Sequence, residues 1–225
     1  MGILFITGID TGIGKTYATG LLARFLLQQG KSVITQKIIQ TGCEHTSEDI
    51  ILHRKIMGIN FTEEDKKNLT NPYIFTFPSS PHLAARRENV TIDTNTITTA
   101  TEILAKKYDH VLIEGVGGIM VPLTDEITLL DYISERLYPI LIISSSRLGS
   151  INHTLMTIEI LKNRNLEVRG IIYNQFPKEK REIIEDSKSV FKKFLYKYDY
   201  PAVVIDMPLF DFNNIPEIDF SYLLI

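Results

Sequence analysis

The chain has 225 residues, 44% of them hydrophobic and 23% charged, enough for one sizeable core and ordinary for a globular protein. Lys and Arg number 24 against 27 Asp and Glu, a formal net charge of −3, so there is no basic footprint for nucleic acid or for an anionic membrane. Cys43 is the only cysteine, which excludes an intrachain disulfide; with only a short apolar run, Ile3 to Ile6, at the start and no export leader, a cytoplasmic location is expected.

Short β-branched runs alternate with longer amphipathic stretches along the chain. That pattern predicts a single α/β domain over residues 1–225, a mostly parallel sheet with helices on both faces. The first strand is expected at Ile3–Thr7. It runs directly into Gly8-Ile9-Asp10-Thr11-Gly12-Ile13-Gly14-Lys15-Thr16, and a helix follows over Thr16–Gln29 with Leu21, Leu22, Phe25 and Leu26 on one side. Strand, glycine loop, Gly-Lys-Thr and helix in that order make a P-loop. The glycines let backbone N–H groups curl around a phosphate, the helix start adds partial positive charge, Lys15 reaches the β- and γ-phosphates, and the Thr16 hydroxyl faces Mg²⁺. Five residues separate Gly8 from Gly14, one more than in the common pattern, which points to a particular branch of P-loop proteins.

The second strand, Ser32–Lys37, ends on a lysine that either faces the same crevice or is a solvated charge. Asp49 opens a helix at Asp49-Ile50-Ile51-Leu52, as a metal ligand or as a favourable first-turn charge. The stretch Phe61 to Asn95, rich in Pro, Thr and Asn, is expected to be a mostly irregular functional insertion. A helix over Asp93–Lys107 precedes the strand His110–Glu114. There Glu114, an acidic residue at a strand's carboxyl end, stands where Mg²⁺ could be held; the alternative is a turn in which Gly115, Gly117 and Gly118 merely supply positive φ. Strands at Ile140–Ser144, Gly170–Asn174 and Ala202–Asp206, with helices at Gly149–Asn163 and Lys178–Leu195, complete the set. His45, His53 and His110 read as surface or helix-end residues without metal spacing, and Cys43 has no partner base by spacing.

The P-loop, Lys37 with Thr41-Gly42, Ser80-Pro81-His82-Leu83-Ala84-Ala85, Glu114-Gly115-Val116-Gly117-Gly118 and Leu148-Gly149-Ser150-Ile151-Asn152-His153, in that order, resemble the dethiobiotin synthetases. The resemblance implies an ATP- and Mg²⁺-dependent ligase that converts 7,8-diaminononanoate and CO₂ to dethiobiotin through a carbamate and a phosphorylated carbamate. It implies that Gly12, Ile13, Gly14, Lys15, Thr16 and Tyr17 wrap the triphosphate, with Asp49, Glu114, Gly115, Val116 and Gly117 beside it. Thr16, Asp49 and Glu114 would hold the metal, and Lys37 and Lys15 would be catalytic. Asn174 and Gln175 would meet the adenine edge, and Pro208, Leu209 and Phe210 would pack on the base. Thr41, Ser80, Pro81, Gly149 and Asn152 would meet the diamine at the interface of a homodimer, the last two from the partner subunit. This sequence departs from the family pattern at Ile38-Ile39 and Gln40 after the lysine, and at Gly12, Val116 and Gln175. The rival reading, a partitioning or positioning ATPase that acts as a nucleotide switch, resembles a loop with a signature lysine where this chain has Asp10.

Overall fold

In the computed structural model, which describes residues 2–223, the order of elements is β1 (Gly2–Gly8), α1 (Lys15–Gln28), β2 (Val33–Lys37), β3 (Ile39–Thr41), α2 (Glu48–Met57), α3 (Glu63–Lys66), β4 (Tyr73–Phe75), α4 (Pro81–Arg87) and α5 (Thr94–Lys107), then β5 (His110–Gly118), α6 (Leu129–Arg136), β6 (Ile140–Ser145), α7 (Ser150–Asn163), β7 (Val168–Asn174), α8 (Arg181–Lys197) and β8 (Val204–Met207). Six strands form the main sheet in the order β2-β5-β1-β6-β7-β8, every pairing parallel. All six residues of β6 and all five of β2 are buried, so both faces of the sheet are covered. This explains why Ile140-Leu141-Ile142-Ile143 is a continuous apolar run with no alternation.

From the central β1 the chain goes out to β2, returns to β5 between them, and only then crosses to β6 on the other side. In an open parallel sheet, that reversal opens a crevice beyond the carboxyl ends of the strands. The P-loop after β1, Lys37 at the end of β2 and Glu114 within β5 all reach it; Lys37 and Glu114 are register partners.

Local chemistry sets the helix ends. Ser47 caps α2 by accepting from the Ile50 N–H at 3.2 Å, and Gly58, at φ 72°, ends it. Thr128 and Asp131 form a reciprocal capping box on α6. Helix α2 is bolted to the sheet by Arg54, which is 2% exposed. Its guanidinium donates to both Asp65 carboxylate oxygens at 2.9 and 2.7 Å and to the Thr35 hydroxyl at 2.7 Å. Asp65 also accepts from the Thr62 N–H and the Thr70 hydroxyl, so the segment after α2 is fixed by the same pair.

One expectation changes. Strand β5 does not end at Glu114 but runs to Gly118, with a register irregularity against β1, and of its last glycines only Gly117, at φ 59°, needs the left-handed region. Within the insertion, short regular elements stand among the irregular stretches: it contains α3, β4 and α4, and β4 pairs in parallel with β3 in a second, two-stranded sheet. Helix α6 carries no sequence expectation, since a two-turn helix is too short to show a convincing period.

Candidate active site

The P-loop takes the form its glycines permit. Gly12 and Gly14 sit at φ 69° and 99°, and a Cβ on Gly14 would stand 2.5 Å from the Asn174 Nδ2. Helix α1 begins at Gly14 with no side-chain cap and no acidic residue in its first turn, so the chain does not neutralise its amino-terminal N–H groups. Such an end favours an anion. The loop is tied down at two points: Asn174 donates to the Ile13 carbonyl at 2.9 Å, and Arg147 pairs with Asp10 at 2.6 Å.

Below the loop, four side chains converge. The Thr16 hydroxyl lies 2.9 Å from Asp49 Oδ1 and 3.1 Å from Glu114 Oε1. Lys37 Nζ lies 2.8 Å from Asp49 Oδ2, 2.8 Å from Glu114 Oε1 and 2.9 Å from the Gly115 carbonyl, so all three of its N–H bonds are engaged. Burial works against every charge here, and the partners decide the outcome. Lys37 is penalised by burial, yet the Glu114 and Asp49 carboxylates raise its pKa above the ordinary lysine value. Burial pushes Glu114 up, but Lys37 and the hydrogen bond from His53 hold it well below the usual carboxylate range. For Lys15 the carboxylates of Glu114, Asp49 and Asp10 compensate only in part. Burial, and then the neighbouring Lys37 charge, pull its pKa down to about 8, and its ammonium donates to the Asp10 carbonyl at 2.9 Å.

Two cavities meet at the glycines. The larger, about 560 Å³, is lined by the loop from Thr11 to Thr16, by Lys37, Thr41, Asp49 and Glu114, by Ser80 and Pro81, and by Val116 and Gly117. The smaller, about 260 Å³, is lined by Gly12, Gly14, Tyr17, Asn174, Phe176, Met207 and Pro208-Leu209-Phe210, with Tyr17 edge-on to Phe210 at 5.7 Å. Its walls suit a flat base and the larger cavity suits charged groups. The oxygens of Thr16, Asp49 and Glu114 form a hard donor set of the kind that could hold a divalent cation.

The structure therefore gathers most residues singled out in the sequence, but not all. Gly115 lines neither cavity: a Cβ there would meet Leu129 and Phe5, and its carbonyl reaches the site through Lys37. Gln175 lines neither cavity, and Asn174, though it walls the smaller one, has both amide atoms engaged, with Ile13 and with the Phe176 N–H. Gly149 and Asn152 open α7 outside both cavities. Gln40, one of the departures, lines the larger cavity and accepts from the Ser47 hydroxyl at 2.7 Å. His53 is neither surface nor helix-end: it is 0% exposed, and its Nε2 lies 2.8 Å from Glu114 Oε2. The only sequence signal for it was its place one helical turn after Asp49, on the face that Asp49 presents to the sheet.

A parallel sheet with this loop at its central strand and a lysine–carboxylate cluster beneath defines a P-loop nucleotide-binding enzyme. Residues 3–197 match the AAA domain family. The chain is 50% identical to the ATP-dependent dethiobiotin synthetase BioD 2 of Pasteurella multocida over 87% of this chain and 92% of that one. It is 52% identical to that of Haemophilus influenzae over 78% and 92%, and 50% identical to the ATP-dependent dethiobiotin synthetase BioD of Chlorobaculum tepidum over 91% and 86%. The chain belongs to the ATP-dependent dethiobiotin synthetase family. Among solved structures, a ParA family ATPase from Chlorobium tepidum (TM-score 0.56, 14% identity, 92% of this chain and 84% of that one) and the MinD cell division protein of Aquifex aeolicus (TM-score 0.52, 16% identity, 92% and 82%) share its fold and no more.

Proposed function

We propose that this chain is an ATP-dependent ligase of biotin synthesis that closes the ureido ring of dethiobiotin. One amine of 7,8-diaminononanoate adds to CO₂ and loses a proton, giving a carbamate. A carbamate oxygen takes the γ-phosphoryl group as its bond to ADP breaks. The second amine then attacks the carbamoyl carbon and expels phosphate. The observation that carries this reading is the cluster of Thr16, Lys37, Asp49 and Glu114 directly beneath the P-loop, opening on a cavity with Thr41, Ser80 and Pro81 on its far side.

In this reading the smaller cavity takes the adenine and the P-loop amides cradle the phosphates. Lys15 releases the Asp10 carbonyl to meet them. Phosphoryl transfer demands positioning and charge neutralisation more than covalent help, and the two ammonium groups supply that where two anions meet. Thr16, Asp49 and Glu114 would hold Mg²⁺, which offsets phosphate charge when bound. Lys37, kept cationic by its two carboxylates, stays a fixed positive charge beside the carbamate.

The same reading makes the protein a homodimer in the cytoplasm, each α7 start offering Gly149 and Asn152 to the substrate in the partner's site. It is supported by their position outside the cavities of their own chain, and by Leu148 beside them, 97% exposed. The test is reconstitution: purified protein with the diamine, bicarbonate, Mg²⁺ and ATP should yield dethiobiotin and phosphate in equal amounts, and Lys37→Ala should lose at least about 10²-fold in kcat. Phosphate release indifferent to the diamine would overturn the reading.

A further inference from the structure

The ring-closing scheme leaves one buried group at the site unused. His53 lies on α2 one turn after Asp49, fully enclosed, with Nε2 2.8 Å from Glu114 Oε2. An ionised carboxylate only accepts, so Nε2 carries the proton and donates. The other ring nitrogen, Nδ1, is buried with no partner. An unpaired buried nitrogen is costly, and an apolar side chain would fill the same space without that penalty. The ring is therefore poorly explained as packing. What it does is occupy one particular oxygen. Glu114 Oε1 faces Thr16 at 3.1 Å and Lys37 at 2.8 Å, while Oε2 is turned away toward the ring. The terminal torsion of a glutamate is otherwise broad, and a free carboxylate could swing both oxygens onto Lys37.

We infer that His53 is a positioning residue, whose Nε2–H fixes the plane of the Glu114 carboxylate so that Oε1 is presented to the Thr16 hydroxyl and to a divalent cation. It touches neither nucleotide nor diamine and acts through Glu114 alone, as partners of ligating carboxylates do. The inference rests on the proposed reading of Glu114 as a metal-side carboxylate.

The test uses Mn²⁺ as probe, its free concentration followed by electron paramagnetic resonance as it is titrated into the purified full chain with ADP, alongside steady-state ring closure. His53→Leu should weaken Mn²⁺ binding about 10–100-fold and raise the Mg²⁺ needed for half-maximal rate by a similar factor, with the diamine KM unmoved. His53→Gln, which returns an N–H donor at comparable reach, should recover most of that loss. Wild-type Mn²⁺ affinity in a folded His53→Leu chain overturns the inference, as does a His53→Gln chain as weak as His53→Leu at the same melting temperature. Should His53→Leu fail to fold, His53→Asn replaces it, its amide too short to reach Oε2: weaker Mn²⁺ binding than in His53→Gln supports the inference, and equal binding overturns it. A wild-type chain that binds Mn²⁺ with ADP but closes no ring counts against the proposed reaction alone. One that binds no Mn²⁺ overturns the metal assignment and this inference together.

Discussion

At the scale of single residues, Lys15 and Lys37 show how one side chain in one crevice can be tuned in opposite directions. Lys37 has two carboxylates at 2.8 Å, which hold its pKa above the ordinary lysine value; Lys15 hydrogen-bonds only the Asp10 carbonyl and sits at about 8. A triphosphate at the loop would raise the Lys15 pKa again, so above about pH 8 nucleotide binding must bring a proton with it. The dissociation constant for ATP should therefore be flat below that value and climb above it, toward about tenfold per pH unit. Calorimetry in buffers of different ionisation enthalpy should report uptake of up to about one proton there and none near pH 7. In the unliganded chain the sign for stability follows from the same depression. Between about 8 and the ordinary 10.5 the unfolded chain binds the extra proton, so this group's contribution to stability improves as pH rises through that window. Lys15, Thr16 and Glu114 were legible in the sequence because each follows from local order, a loop after a strand or a charge at a strand's end. His53 was not, since its burial depends on where α2 lies against β5, which no neighbouring residue announces.

At the scale of elements, α2 matters out of proportion to its ten residues, for it carries both Asp49 and His53 to the cluster. Its seating depends on the Arg54–Asp65 pair, with side chains 2% and 1% exposed. Replacing Arg54 by Met would strand a buried carboxylate and should cost about 3–5 kcal/mol in urea unfolding. Adding Asp65→Asn, which keeps the acceptor oxygen but removes the stranded charge, should restore part of that loss. The long elements were readable for physical reasons: β6 is apolar throughout because both its faces are covered, and α5 shows Ile97, Ala100 and Leu104 at helical spacing. The short elements β3, β4, α3, α4 and α6 were not. Three-residue β3 and β4 stand only because they pair with each other across thirty-odd residues of chain, and α4 is shaped by Pro81 at its start more than by any period.

For the whole molecule, strand order lay beyond the sequence, because pairing β5 between β1 and β2 is a long-range choice that composition does not record. The proposed second subunit belongs to this scale as well. Sedimentation equilibrium should give twice the chain mass, and Leu148→Glu, which places a charge on a side chain 97% exposed in the single chain, should halve that mass and reduce ring closure while leaving the melting profile of the fold in place. Gly12 and Gly14 border both cavities, so the divide between them is a low saddle bare of side chains. A compound joining a purine mimic to an amine mimic must drape over that saddle, and its fit will turn on a slim, flat tether more than on either end group.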